Sequence, residues 1–240
     1  MLPIIATRIV VGILATLGTL RLGTGIYFWR VTEALERPTY TVLETLENGV
    51  ELRRYEPYLI AETIVESNVG GFREPTRDGF QACAGYIFGK NQKRNTGWFS
   101  SSSTVEPEKM AMTAPVRVAG DAMTVAGGGG GVMSKKKKTK VSFVIGTQYS
   151  LKTAPKPLDN KVKVRQVPAH TLAVKTFSGP PPKDARVQKE RIKIEMALTK
   201  AGKYVPSADE ETLVYGYHDP FITPNFLRRN EVALVIDGSV

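Results

Sequence analysis

Cys83, His170 and His218 are the only thiol and imidazole groups in the chain. One cysteine excludes an intramolecular disulfide framework and a multi-cysteine zinc or iron–sulfur site. Neither a Gly-x-Ser-x-Gly elbow nor a His-Glu-x-x-His helix occurs, so the sequence offers no serine-nucleophile or zinc-hydrolase signature. Cys83 falls on an apolar helical stripe, where a thiolate is disfavoured. His218 precedes Asp219-Pro220, and a neighbouring carboxylate can tune an imidazole, but the same tripeptide reads equally as a strand-end turn. What remains is binding chemistry. Arg77 stands three residues before Phe80, with Phe88 further along the same stripe. Phe221 and Phe226 lie in a proline-punctuated loop that runs into Arg228 and Arg229. Apolar surface edged by guanidinium suits a ligand with an apolar body and carboxylate tails. The helical stripe serves equally as core, and Arg228–Glu231 equally as strand-entry polar residues or an internal ion pair.

The elements that must position these residues are mostly strands. Val50, Leu52 and Tyr55 approach Glu56-Pro57, and Leu59 to Val65 leaves it, a hairpin signature. Val162, Val164 and Val167 approach Pro168-Ala169, and Thr171 to Phe177 leaves. An offset of 112 residues superposes the two segments without a gap, pairing Val50 with Val162, Arg53 with Arg165, Ile60 with Leu172 and Ala61 with Ala173. A helix follows each. The first spans about Pro75 to Phe88, where Phe80, Cys83, Ala84, Ile87 and Phe88 make one apolar face before Gly89. The second spans about Lys183 to Ala201, with Ile194, Ala197, Leu198 and Ala201 as its stripe and Gly202 as its stop. Two strands follow each helix, Lys109–Val118 and Val141–Tyr149, then Thr212–Tyr217 and Glu231–Ile236. Strand-strand-helix-strand-strand, twice over, predicts an α+β fold with a largely antiparallel sheet.

Two segments differ from this pattern. Ile9–Trp29 is apolar apart from Arg21 and long enough to cross a bilayer, since about 20 residues span one. An arginine near the middle of a span costs about 2.5–3.5 kcal/mol. Tyr27, Phe28 and Trp29 beside Arg30 resemble an interfacial girdle. A basic, acid-free targeting segment and a retained anchor both fit residues 1–36. Ala119–Lys140 holds Gly127 to Gly131, Lys135 to Lys138 and Lys140; it reads as a flexible insertion and not as a phosphate-binding loop. Ser100 to Ser103 form a smaller insertion. These additions locate the charge. Of the formal +10, the Gly/Lys insertion carries +4 and residues 1–30 carry +3, leaving +3 for the rest. The basic balance therefore points to membrane surfaces or organelle import and away from a nucleic-acid-binding face.

Four stretches resemble the SOUL haem-binding family: Glu51-Leu-Arg-Arg-Tyr-Glu-Pro-Tyr, Gly85-Tyr-Ile-Phe-Gly-Lys-Asn, Lys109-Met-Ala-Met-Thr-Ala-Pro-Val and Phe226-Leu-Arg-Arg-Asn-Glu-Val. Val167-Pro, Ala173-Val and Phe177-Ser-Gly fit the second hairpin. The resemblance runs from about Tyr40 to Ile236, with the wording closest to plastid-type members. It implies a haem-binding domain over residues 37–240, interrupted at 119–140, with a pseudo-two-fold distorted antiparallel β-barrel and two long helices.

The resemblance also implies function. The expected ligand is haem or another tetrapyrrole, bound reversibly by a carrier or buffer that is not an enzyme and holds no metal of its own. Arg77 matches a position with a basic residue near the propionates in a relative. Phe80, Ala84, Ile87 and the Phe221 loop would line an apolar groove beside the first helix. Some animal members carry a histidine in the first hairpin; Arg53 to Tyr58 contains none. Binding by apolar contact is therefore expected, with His170 or His218 as outside candidates for an axial ligand. The expected setting is a monomer in the chloroplast, at thylakoid or plastoglobule, with membrane association through residues 9–29 and no nucleic-acid partner. The competing expectation is a membrane-tethered scaffold without an essential ligand, and a membrane-anchored or cytoplasmic location is the alternative.

Overall fold

The computed structural model describes residues 2–67, 73–94, 106–121, 137–207 and 211–239. The chain begins with α1 (Leu2–Glu33), β1 (Tyr40–Leu46), β2 (Val50–Tyr55), β3 (Tyr58–Ser67) and α2 (Arg73–Ile87). It continues with β4 (Asn91–Gln92), β5 (Val116–Asp121), β6 (Lys137–Ile145) and β7 (Lys156–Pro157). The second half follows as β8 (Lys163–Val167), β9 (His170–Phe177), α3 (Asp184–Ala201), β10 (Tyr204–Pro206), β11 (Glu211–Gly216) and β12 (Asn230–Ser239). The main sheet runs β1-β2-β9-β12-β11-β5-β6-β3-β8, with β10 added on β12 and every pair antiparallel. Exchanging β2 with β8, β3 with β9, β5 with β11 and β6 with β12 reverses the order of these eight strands. The two-fold axis therefore passes between β5 and β11, and the 112-residue repeat is a structural repeat.

The two expected hairpins are not hairpins. β2 pairs with β9 and β3 with β8, so each half lends its first strand to the other. Tyr55 lies opposite His170 and Tyr58 opposite Val167 across the two corners. The corner sequences explain this. A two-residue hairpin loop needs positive φ, and Pro57 and Pro168 are held near φ −65°. The chain bends at each proline without folding back. Three further expectations change. Lys109–Val118 forms a regular strand only from Val116, after Pro115, which has no N–H for a ladder. The Gly/Lys insertion narrows, because Ala119 pairs with Lys140 and Gly120 with Thr139 as ends of β5 and β6. Its remainder, and Ser100 to Ser103, lie outside the described residues. β1 is an additional strand.

Alternation sorts the strand residues onto two faces. On the outer face, α3 covers a core that includes Val50, Leu52, Val187, Ile194, Leu198 and Val232. α2 covers a second that includes Leu59, Ala61, Cys83, Ile87, Phe143 and Ile145. The inner face carries a third, with Tyr55, Leu172, Val174, Leu213, Tyr215 and Ala233. α1 stands largely apart from these layers. At 1.5 Å per residue it is about 48 Å long, and most of its described side chains are exposed. A Cβ on Gly25 would come within 2.7 Å of Pro224 Cδ, so the loop before β12 lies directly against the helix. Glu33 at its end pairs with Arg37 at 3.0 Å and with His218 Nε2 at 3.0 Å. Among the described residues no helix is long and apolar enough to cross a membrane; Arg21 and the glycines and threonines of α1 dilute its apolar content.

A buried carboxylate ties the inner face together. Glu231 is fully buried and takes Arg53 Nη1 at 2.9 Å, Arg229 Nη2 at 2.6 Å and the Tyr217 hydroxyl at 2.7 Å. Thr176 Oγ1 adds a bond of 3.1 Å. The Arg53 guanidinium, itself 2% exposed, also lies 4.6 Å over the Tyr40 ring. The Arg228–Glu231 run thus supplies an internal ion pair. Arg228 does different work, donating to the carbonyls of Thr223 and Pro220 and holding the Phe221 loop. Burial pushes the Glu231 pKa up, but Arg53, Arg229 and the Tyr217 hydroxyl outweigh it and hold the group below its ordinary 4.5. A group with a depressed folded-state pKa stabilises the fold above its unfolded value and loses that contribution as pH falls through the folded one. Urea unfolding should therefore show stability declining as pH drops below about 4.5, with this component missing from Glu231→Gln. At neutral pH the same variant should be less stable by about 3–5 kcal/mol, because two guanidiniums lose their buried counter-charge.

Candidate functional site

α2 is held on β3 and β6 by close approach. Gly79 meets the sheet where a Cβ would fall 2.5 Å from Val141 Cγ2 and 3.3 Å from Thr63 Cγ2. One turn on, Cys83 is fully buried, its Sγ 3.5 Å from the carbonyls of Ala61 and Val141. Burial pushes this thiol up to about 12, so it is packing and not a nucleophile. Tyr86 donates to the Pro155 carbonyl at 2.9 Å, and the Ile87 carbonyl accepts the Met110 N–H at 2.9 Å. These contacts fix which side of the helix faces outward.

The five residues singled out in the sequence divide. Arg77 is exposed near the start of α2. Phe80 is 42% exposed and sets its ring edge-on against Phe143, centroids 5.0 Å apart. Ala84 is half-buried between that shoulder and the core. Ile87 is 2% exposed and belongs to the core, so it can only floor a groove. Phe88, a neighbour on the stripe, is 59% exposed. Arg77, Phe80, Ala84 and Phe88 therefore form a continuous strip at i, i+3, i+7 and i+11. Phe221 sits elsewhere. It is 82% exposed in the loop that packs Ile222 and Pro224 against Gly25 of α1. Among the described residues no hydrogen bond, ring contact or shared core joins it to α2.

Neither histidine is placed to ligate a group on that strip. His170 stacks on Tyr55, centroids 5.4 Å apart and nearly parallel, and its Nδ1 donates to the Pro168 carbonyl at 2.8 Å. Burial, opposed only in part by that bond, lowers its pKa. The His218 side chain is fully buried. Its Nδ1 accepts the Arg229 N–H at 3.1 Å, which leaves the proton on Nε2 facing Glu33. Burial also lowers its pKa, with Glu33 acting in the opposite sense. Both expected outside candidates for an axial ligand are thus committed to the fold. Among the described residues no cluster of three or more His, Cys, Asp or Glu could hold a metal ion.

Sequence reasoning missed the inner face. Tyr40, Tyr55, Tyr58, Tyr215, Tyr217 and Arg117 line a cavity of about 50 Å³ there. Burial raises the Tyr55, Tyr58, Tyr215 and Tyr217 hydroxyls above their ordinary range, so all four are neutral donors. The signal was the alternation itself: Arg117 stands between Val116 and Val118, and Tyr215 and Tyr217 are two apart.

The SOUL heme-binding protein family model matches residues 35–235. The chain belongs to this family. No curated protein sequence matches the chain significantly. Among solved structures, a hydrolase from Listeria innocua is similar over 87% of this chain and 96% of its own, with TM-score 0.51 and 8% identity. An uncharacterized conserved protein from the same organism covers 87% and 96%, with TM-score 0.48 and 10% identity. The EcmrR C-terminal domain covers 83% and 98%, with TM-score 0.47 and 8% identity. At such identities the likeness is one of fold. The match at TM-score 0.51 agrees with an α+β architecture whose antiparallel sheet curls around a two-fold axis.

The exposed strip of this SOUL domain depends on the seat of α2. Gly79→Ala should lower stability by about 1–3 kcal/mol, the cost of overpacking a close helix–sheet contact. Chemical denaturation would measure it, and an unchanged midpoint would show that the seat is looser than the 2.5 Å approach implies.

Proposed function

We propose that the chain binds haem or a related tetrapyrrole reversibly on the outer strip of α2 and acts as a carrier or buffer. Membership of the SOUL family supports tetrapyrrole as the ligand class. The observation that carries the choice of site is the exposure of Phe80 and Phe88 on a helix otherwise fastened to the sheet, with Arg77 at one end. Two exposed aromatic rings offer a face for a flat macrocycle, and the guanidinium suits a propionate. With His170 and His218 both engaged in the fold, the iron receives no histidine from this chain. Contact alone gives weak, fast-exchanging binding, which suits a buffer. A plastid setting belongs to this reading and rests on the wording of the motifs.

Haemin titration followed in the Soret band should saturate at micromolar protein. Phe80→Asp and Phe88→Asp should each weaken binding about tenfold, the equivalent of roughly 1.4 kcal/mol. His170→Ala and His218→Ala, where folded, should leave the band position unchanged. A titration that never saturates would sink the reading.

A second reading, favoured by α1, places the chain at a lipid surface. Leu14, Leu17, Leu20, Tyr27 and Phe28 are exposed along this helix. Phe221 and Phe226, 82% and 69% exposed, belong to the loop packed against it. Arg21 and Arg30 accompany them, and no acid precedes Glu33. Apolar side chains mixed with arginines are the composition of interfacial helices. The full chain should co-sediment with anionic vesicles, removal of residues 2–30 should abolish this, and Phe221→Ser should reduce it severalfold. Equal recovery with and without the helix would rule the second reading out.

A further inference from the structure

The cavity on the inner face has an unusual electrostatic composition. Its arginines are mostly spent. Of those that line it, Arg229 is held by Glu231, and Arg37 pairs with Glu33 at 3.0 Å although its Nε and Nη2 make no hydrogen bond among the described residues; Arg53 and Arg165, outside the lining, are taken by Glu231 and Glu62. Arg117 alone of the three pairs with no acid among the described residues. Its Nε and Nη1 are buried and have no hydrogen-bond partner among those residues, and neither has the Tyr215 hydroxyl. The two residues lie directly opposite each other on β11 and β5, and Ser142 of β6 faces Arg117 from the other side.

The register shows why no carboxylate among the described residues reaches Arg117. Glu231, Tyr215, Arg117, Ser142 and Glu62 form one row across five adjacent strands. Each carboxylate is two strands from Arg117, about 10 Å at 4.7–4.9 Å per strand, and each is already held by another arginine. A half-buried guanidinium with two buried nitrogens and no acceptor for them is costly. We propose that this cavity is a binding site for a small oxyanion of carboxylate or phosphate size, held by Arg117 and the hydroxyls of Tyr215 and Tyr58.

Size and placement define the ligand. A volume of about 50 Å³ corresponds to roughly three to five water positions at 10–15 Å³ each. Acetate, bicarbonate and phosphate fit; a tetrapyrrole does not. The site is separate from α2. The helix packs over Ala61, Val141 and Phe143, whereas Ile60, Ser142 and Val144, the alternate residues of the same strands, line the cavity. The inference therefore stands independently of the tetrapyrrole reading.

The test is thermal unfolding of the full chain titrated with phosphate, acetate or bicarbonate at constant ionic strength, with chloride as reference. At least one oxyanion should raise the midpoint saturably, and the three arms distinguish phosphate from carboxylate as its source. Arg117→Gln should raise the apparent Kd at least tenfold, and Arg117→Lys should restore part of the loss. Should Arg117→Gln not fold, Tyr215→Phe, which keeps the ring and removes the hydroxyl, should weaken binding severalfold. Haemin titration of the same variants should be unchanged, so that this site and the α2 strip are scored separately. No saturable rise with any of the three oxyanions would overturn the proposal. So would a response unaltered by both Arg117→Gln and Tyr215→Phe.

Discussion

One carboxylate decides the electrostatics of the inner face. Glu231 projects from β12 into the concavity and is fully buried, so it needs positive charge and receives it from Arg53 and Arg229. Arg53 belongs to the first half of the chain and Glu231 to the second, and the pair links β2 to β12 across the intervening β9. The fold exchanges its first strands between halves, and this ion pair is the chemical counterpart of that exchange. The repeat places Arg165 where Arg53 stands in the other half, and Arg165 takes Glu62 instead. Two equivalent arginines thus find different acids. Once they are satisfied, Arg117 is left at the centre with a buried Nε and Nη1 that no acid among the described residues serves.

The same strands run two kinds of chemistry because their side chains alternate. On β6, Val141 and Phe143 serve the helix side, while Ser142 and Val144 serve the concavity. On β3, Leu59 and Ala61 enter the core under α2, while Ile60 and Glu62 face inward. A shift of one residue in register would exchange the two sets, burying Glu62 beneath a helix and exposing Phe143 to the arginines. The corner prolines guard against this. Pro57 and Pro168 separate strands that would otherwise close locally, and the paired corners hold Tyr55 against His170.

Much of this was legible in the sequence. The 112-residue offset marked the repeat, Cys83 was placed correctly in the core, and Gly202 ends α3 with its N–H on the Leu198 carbonyl. These are local signals, carried by residues within one or two turns of each other. Pairing is not local. β2 looked like the partner of β3 because they are adjacent in sequence, and only the absence of positive-φ residues at Glu56-Pro57 argued otherwise. The site residues split for the same reason. Arg77, Phe80 and Ala84 share a helix, so periodicity gathered them, and it could not separate Phe80 on the shoulder from Ile87 in the core. The family resemblance drew the Phe221 loop to the helix, while Pro224 and Gly25 hold that loop against α1. Arg117 drew no notice, because a charged residue between two valines reads as the solvent side of a strand. Here that side is the inner face of a curled sheet.

That difference bears on what each surface can hold. An exposed helical strip gains from a ligand only what contact removes from water, and it releases the ligand as readily as it takes it up. On the tetrapyrrole reading, with His170 and His218 both engaged in the fold, nothing in α2 would slow that exchange. The concavity is the opposite case. Its donors are preorganised by the sheet ladder, Arg117 between Tyr215 and Ser142, so little conformational entropy is lost when an acceptor arrives. Its walls are aromatic, which lowers the local dielectric and strengthens each charge-assisted bond. On the readings proposed above, the domain separates a large, weakly held apolar ligand outside from a small, firmly held anion inside. The separation follows from burial: the face that keeps water away from Glu231 is the one that can hold a small charge firmly, and the face left to solvent is the one wide enough for a macrocycle.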